Sequence, residues 1–375
     1  MEQLLGGMDA QTFLRDYWQK QPLLVRNAIP GFTGLLDPQQ LLRLTRRENV
    51  VSRLVRNDAS GWHLRHGPLR QRDFPSQQAA GVWTVLVQEI NYHLRSAEDL
   101  LQRFRFIPHA RLDDLMVSYA VAGGGVGPHF DSYDVFLVQG IGHRRWQIGA
   151  QTDLSLVEGL PLKILRHFVV EQEWVLGPGD MLYLPPCYAH NGIAEDECMT
   201  YSIGFRAPAV QEIAHQFLVY LQDRLDLPGV YQDPDLQLQA HPAELGEAML
   251  CQFAEMVGQI HWEREDIDDF AARYLTEPKA HVYFRPPARV PGFSRFCSTL
   301  VRRGLRLAPQ SRMLFSHERY YLNGERVHLE GASACLRRLA DERAITAEGL
   351  SASCLEWLYQ CFVDGYVVWD RPQTG

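Results

Sequence analysis

A chain of 375 residues is longer than a single compact core usually organises, so two or three domains are expected. Apolar residues make up 46% and charged residues 22%, which excludes wholesale disorder, and 29 glycines and 21 prolines are too few for a collagen-like or low-complexity chain. A formal charge of −8 excludes a surface that is basic throughout, so direct nucleic-acid binding is not expected. The seven cysteines are odd in number and contain no C-x-x-C pair, which argues against a disulfide framework or a zinc finger. The start, Met1-Glu2-Gln3-Leu4, lacks a basic segment followed by an apolar one. No run approaches the roughly 18–20 apolar residues that cross a bilayer. A cytoplasmic protein with no membrane association is expected.

In chain order, Asp9 to Trp18 predicts a helix, with Phe13, Leu14, Tyr17 and Trp18 three to four apart behind a capping aspartate. Pro22 ends it, Leu23 to Val25 reads as a short strand, and Pro38 to Arg46 as a second helix. Residues 50–95 mix strand candidates and helical turns without a legible order. From Leu115 the pattern becomes β: Leu115 to Val121, Tyr133 to Gln139, Arg144 to Gly149, Glu173 to Leu176, Met181 to Leu184 and Cys198 to Phe205. Short strands separated by turn residues, with no helices between them, predict a sandwich or barrel. After Pro208 the spacing turns helical over Val210–Leu225, Ala243–Gln259 and Asp266–Leu275. A proline-rich linker at 285–291 leads to a hairpin signal at Asn323-Gly324 and helical patterns near 334–342 and 353–364. Helices with a small hairpin fit a winged-helix-like module.

The β region holds one pattern suited to a metal. In Gly127-Pro128-His129-Phe130-Asp131, one intervening residue puts imidazole and carboxylate on the same side of an extended strand. That donor pair suits Fe(II), and a second histidine would complete a facial triad with open positions. The triplet alone decides nothing: fourteen histidines and 45 acidic residues give about two His-x-acid triplets by chance, and three are present. His261-Trp262-Glu263 lies at a helix boundary, where i and i+2 diverge, and His328-Leu329-Glu330 lies in the C-terminal hairpin without a histidine partner. His129 follows a glycine loop, Gly123-Gly124-Gly125, that lets backbone pass close to a ligand. His190, 61 residues on, would be the third ligand if the intervening strands return the chain as in a jelly roll. On spacing alone, a loop histidine bonded to backbone accounts for it equally well.

With Gly179-Asp180-Met181-Leu182-Tyr183-Leu184-Pro185-Pro186 ahead of His190, the His129-x-Asp131…His190 pattern resembles the JmjC-type oxygenases that use Fe(II) and 2-oxoglutarate. Within that family the chain is similar to the bacterial ribosomal oxygenases. The stretches Phe13 to Leu23, Tyr133 to Gly140 and Tyr201 to Pro208 carry the likeness, which extends over nearly the full length. The resemblance implies an α+β protein: a double-stranded β-helix (a cupin-like JmjC jelly roll) at 1–208, a helical dimerisation region at 209–280 and a winged-helix-like domain at 281–375. It implies His129, Asp131 and His190 as catalytic metal ligands, Fe(II) as the metal, and 2-oxoglutarate and O2 as co-substrates. It further implies a homodimer that hydroxylates C3 of an arginine in the sixteenth large-subunit ribosomal protein.

A keto diacid needs a cation for its distal carboxylate. In His143-Arg144-Arg145-Trp146-Gln147-Ile148, alternation puts Arg144 on the apolar face with Trp146 and Ile148, and Arg145 on the other. An inward arginine is costly unless paired, either with the co-substrate or with an inward Asp or Glu. The family's basic residue on this strand favours Arg144 as the co-substrate anchor. Ser118, sharing a strand face with Met116 and Ala120, could donate a second hydrogen bond or be a core serine, and Ser202 is a weaker alternative. Asn191 and Asp134 lie close enough in sequence to the metal ligands to support them or touch substrate, and a solvated surface position accounts for Asp134 equally well. Trp83, Tyr119 and Phe205 read as core. Two other functions fit parts of the pattern: a methyl-lysine demethylase with the same triad, or a non-enzymatic metal-binding jelly roll with a nucleic-acid or protein partner.

Overall fold

A computed structural model describes residues 2–75 and 81–370, so that part of the unordered 50–95 stretch, residues 76–80, lies outside the described residues. The chain divides into two compact units, Met1–Ala207 and Pro208–Gly375.

The first unit opens with α1 (Ala10–Asp16), whose cap Asp9 accepts from the Thr12 amide at 2.7 Å, then β1 (Leu23–Val25) and α2 (Pro38–Leu44). The stretch that could not be ordered from sequence forms β2 (Ser52–Asp58), β3 (Gly61–His66) and β4 (Val82–Val87), followed by α3 (Arg95–Gln102). Next come β5 (Leu112–Ala120), β6 (Val135–Gln139), β7 (Arg144–Gly149), β8 (Gln172–Leu176), β9 (Met181–Leu184), β10 (Ala189–Ala194) and β11 (Cys198–Phe205).

These strands make a jelly roll. An eight-stranded sheet runs β1-β9-β6-β11-β5-β4-β2-β3 and a three-stranded sheet runs β10-β7-β8, with antiparallel pairing throughout. Alternation along the strands builds two cores. Val85, Val117, Tyr119, Met199, Tyr201, Ile203 and Phe205 face the N-terminal helices, with Phe13 and Leu41 buried among them. On the other face, Val135, Leu137, Leu182 and Leu184 meet Trp146, Ile148 and Leu176 of the small sheet. The space between the two sheets is therefore apolar at one end and, as described below, polar at the other.

In the second unit, α4 (Val210–Gln222), α5 (Glu247–Gly258) and α6 (Arg264–Thr276) precede α7 (Phe293–Arg303), β12 (Leu305–Leu307), β13 (Met313–Ser316), β14 (Arg319–Leu322), β15 (Glu325–Val327), α8 (Ser333–Glu342), β16 (Ala344–Ile345), α9 (Ala352–Val363) and β17 (Val367–Trp369). The Asn323-Gly324 turn joins β14 to β15 with Leu322 opposite Glu325, and both turn residues have positive φ (+52° and +88°), as a type I′ turn demands. Asp269 of α6 accepts from Tyr321 at 2.8 Å, from Tyr220 at 3.0 Å and from Arg273 at 2.7 Å, tying α4, α6 and the hairpin into one network. Among the described residues, no helix is long and apolar enough to cross a membrane.

Candidate metal and co-substrate site

The sequence left His190 in a loop beyond two prolines; it stands instead on strand β10, paired with β7 so that His190 faces Ile148. The glycine loop makes this possible, by a route other than ligand approach. Gly123 to Gly125 run against β10: the Gly123 amide donates to Ala194 at 2.7 Å, and the Ala194 amide to Gly124 at 2.9 Å. A Cβ on Gly125 would stand 2.5 Å from the Gly192 carbonyl oxygen, so only glycine allows the two segments to close up. His129 and His190 then exchange both main-chain hydrogen bonds, at 2.9 and 2.8 Å. At the far side the Cys187 amide donates to the Asp131 carbonyl at 2.7 Å, fixing the third group.

Each histidine spends one ring nitrogen on a carbonyl. His129 Nδ1 lies 2.9 Å from the Gly127 oxygen and His190 Nδ1 2.9 Å from the Tyr188 oxygen. A carbonyl only accepts, so Nδ1 carries the proton and both Nε2 lone pairs are left for a metal. One donor atom from each of His129, Asp131 and His190 lies within 4.8 Å of the others, and His190 Nε2 stands 3.8 Å from Asp131 Oδ2. Burial, assisted by the neighbouring His129, brings the His190 pKa down from 6.5 to about 4, so the imidazole is neutral, the form that ligates. Two imidazoles and a carboxylate with converging donor atoms suit a divalent iron with coordination positions to spare.

The two residues expected to hold the co-substrate, Arg144 and Ser118, meet across the inter-sheet space. Arg144, Trp146 and Ile148 point inward, while Arg145 pairs outside with Glu195 at 2.7 Å and with Glu173. Arg144 is 5% exposed, and its Nη1 donates to Ser118 Oγ at 3.2 Å. Its Nε and Nη2 are buried without an acceptor, as is Trp146 Nε1. Among the described residues no carboxylate pairs with Arg144, so the alternative of an inward Asp or Glu is not realised. A buried guanidinium with two idle donors is an incomplete anion site, and a carboxylate from a keto diacid would complete it. Ser202 lies on the same sheet face one row away, opposite Met116.

Two supporting residues sit elsewhere than their sequence positions suggest. Asn191 faces away from His190 and donates to Gln147 Oε1 at 3.2 Å on the outer face of the small sheet. Asp134 is completely buried in a knot with Tyr183 Oη at 2.7 Å, Gln19 Nε2 at 2.8 Å and Arg111 Nη2 at 3.2 Å, bracing the N-terminal segment against the sheet. His261 is exposed, with Nδ1 bonded to the Gln259 carbonyl.

Residues 99–213 match the JmjC domain family, and residues 259–361 match the ROXA-like winged helix. The chain is 33% identical over 347 residues to the ribosomal protein uL16 3-hydroxylase of Escherichia coli, covering 90% of both proteins. The chain belongs to the JmjC ribosomal oxygenases. A probable ribosomal oxygenase of Haemophilus influenzae is 42% identical over 235 residues, a match that spans 61% of this chain and 55% of that protein. The structure of the E. coli ribosomal oxygenase in complex with cobalt and 2-oxoglutarate superposes with a TM-score of 0.81 at 31% identity, covering 96% of this chain and 98% of that one.

In this ribosomal oxygenase two residues near the site escape a reading of the sequence, Trp146 as a polar group and Tyr133. Burial pushes the Tyr133 phenol up, followed by the Asp131 and Asp114 carboxylates beside it. Tyr133 keeps 40% of its surface while its hydroxyl end turns to Asp131. Ser132 and Tyr133 form a bend ahead of β6, so strand alternation carries no signal for it.

Proposed function

We propose that this chain is an Fe(II)- and 2-oxoglutarate-dependent dioxygenase that hydroxylates C3 of an arginine in uL16, the sixteenth large-subunit ribosomal protein. The observation that carries the reading is the pairing of two features around one space: three converging metal donors with their Nε2 lone pairs free, and a buried arginine with two idle donors. Near full-length likeness to a uL16 3-hydroxylase supports the substrate.

In this proposal His129, Asp131 and His190 hold the iron, and Arg144 with Ser118 receives the distal carboxylate of 2-oxoglutarate. Iron, co-substrate and oxygen together supply the oxidising power for an unactivated C–H bond. The chain's own part is placement and exclusion of water. The carbonyls of Gly127 and Tyr188 hold the imidazoles in one tautomer, and Val135, Leu137, Leu182, Leu184 and Trp146 keep one end of the cavity dry.

The division into 1–208, 209–280 and 281–375 belongs to the same proposal. The break between Ala207 and Pro208 supports its first boundary, while the winged-helix match begins earlier than its second, at residue 259. A homodimer through the helical segment fits the exposed apolar side chains of α4 and α5, among them Leu218 (61%), Phe253 (55%) and Val257 (63%). A cytoplasmic site of action follows from a ribosomal substrate. Incubation with Fe(II), 2-oxoglutarate and uL16 tests the reading: an arginine-containing peptide of uL16 gains about 16 Da. No mass change in any ribosomal protein removes it.

A further inference from the structure

Arg53, on β2, stands directly opposite Leu86 of β4, and Leu86 stands opposite Ser118 of β5. Opposed residues of an antiparallel ladder share a face. Ser118 accepts from Arg144 across the inter-sheet space, so Arg53 also emerges on the side of the co-substrate site. Its neighbour Leu54 takes the other face, in the core with Val85 and Val117. The guanidinium is partly buried and its Nε is enclosed without an acceptor. Among the described residues no ion pair or side-chain hydrogen bond involves Arg53. Its charge nevertheless reaches the Tyr133 phenol, whose other neighbours are Asp131 and Asp114.

A cation held on β2, half out of water and unpaired, costs the fold free energy. The acceptor that completes it therefore comes from a ligand. The distal carboxylate of 2-oxoglutarate has Arg144 and Ser118, and a substrate arginine would be repelled by a second guanidinium. The remaining acceptor in an extended polypeptide lying over the metal is its main chain.

We propose that Arg53 is a positioning residue for the polypeptide substrate, donating to a main-chain carbonyl oxygen beside the target arginine. This rests on the substrate reading above and adds a residue to it. Arg53 sets where the peptide lies and leaves the co-substrate untouched.

The test uses the full chain loaded with Mn(II) and 2-oxoglutarate. Fluorescence anisotropy gives the affinity for a labelled uL16 peptide spanning the target arginine, and calorimetry gives the affinity for 2-oxoglutarate. Arg53→Ala is expected to weaken peptide binding about ten-fold or more, as loss of a charged hydrogen bond does. Arg53→Lys recovers part of it, and both variants bind 2-oxoglutarate within about two-fold of the parent chain. Arg53→Met, which keeps the packed stem, repeats the comparison if the alanine variant melts early. Peptide affinity unchanged in Arg53→Ala and Arg53→Met overturns the assignment, and so does weakened 2-oxoglutarate binding. A parent chain that does not bind the peptide removes the uL16 reading and the assignment with it. Binding by the parent that the variants retain removes the assignment alone.

Discussion

His129 and His190, 61 residues apart, stand directly opposite one another and exchange two main-chain hydrogen bonds, at 2.9 and 2.8 Å. The metal geometry is thus a by-product of strand pairing. Their imidazoles, with ring centres 4.2 Å apart, are set by backbone register before any metal arrives. An arrangement built this way is sensitive to what lets the two backbones approach.

Gly125 is the most exposed to that argument, because a Cβ there would meet the Gly192 carbonyl at 2.5 Å. Gly125→Ala is expected to force β10 away from the glycine loop, costing about 1–3 kcal/mol of stability. Thermal melts measure the cost, and calorimetric titration with Mn(II) is expected to show metal affinity falling with it. Gly124→Ala also destabilises, since its Cβ would meet the Trp83 carbonyl at 2.6 Å.

Arg144→Met removes a buried cation that the folded chain only half satisfies. Its expected effects run in opposite directions. The KM for 2-oxoglutarate rises about 10- to 100-fold, while the chain without co-substrate melts no earlier than the parent. Turnover at varied 2-oxoglutarate and a melt in its absence check the two halves.

The pH dependence follows from His190. Its folded pKa is about 4 against 6.5 unperturbed, chiefly because burial disfavours the charged ring. The unfolded chain therefore binds this proton more readily. The stabilisation is fully present above pH 6.5 and is lost as pH falls toward 4, by an amount on the order of a few kcal/mol. Urea unfolding of the metal-free chain at several pH values is expected to show this loss, and His190→Gln to flatten it.

Asp134→Asn is expected to destabilise the first unit by about 3 kcal/mol, because it takes the charge from a completely buried carboxylate that Tyr183, Gln19 and Arg111 surround. Denaturant unfolding measures it. The affinity for 2-oxoglutarate is expected to hold, since Asp134 braces the N-terminal segment and does not join the Arg144 site.

The jelly-roll strands were legible where apolar and turn residues alternate sharply, as in Val135–Gln139, Arg144–Gly149 and Cys198–Phe205. Ala189–Ala194 was not, because Ala-His-Asn-Gly-Ile-Ala carries a single β-branched residue and a central glycine. It is a strand because β7 and the glycine loop pair with it, and because Gly192 gives room to the Trp146 ring, 2.7 Å from where a Cβ would stand. The strands β2 to β4 resisted ordering for the same reason: their place at one end of the large sheet is decided by long-range register. The inward direction of Arg144 was readable from alternation, while its expected partner came from the family resemblance. Asn191 shows the limit of proximity in sequence, since one step along a strand turned it to the opposite face from His190.

In the proposed function His129, Asp131 and His190 grip one divalent ion beside Arg144. A crystal of the chain grown with Mn(II) and 2-oxoglutarate tests it most directly, through the anomalous scattering of the metal. One strong peak is expected at about 2.0–2.3 Å from both Nε2 atoms and an Asp131 oxygen, with the distal carboxylate on Arg144. A peak elsewhere, or imidazoles turned away from a common point, would contradict it.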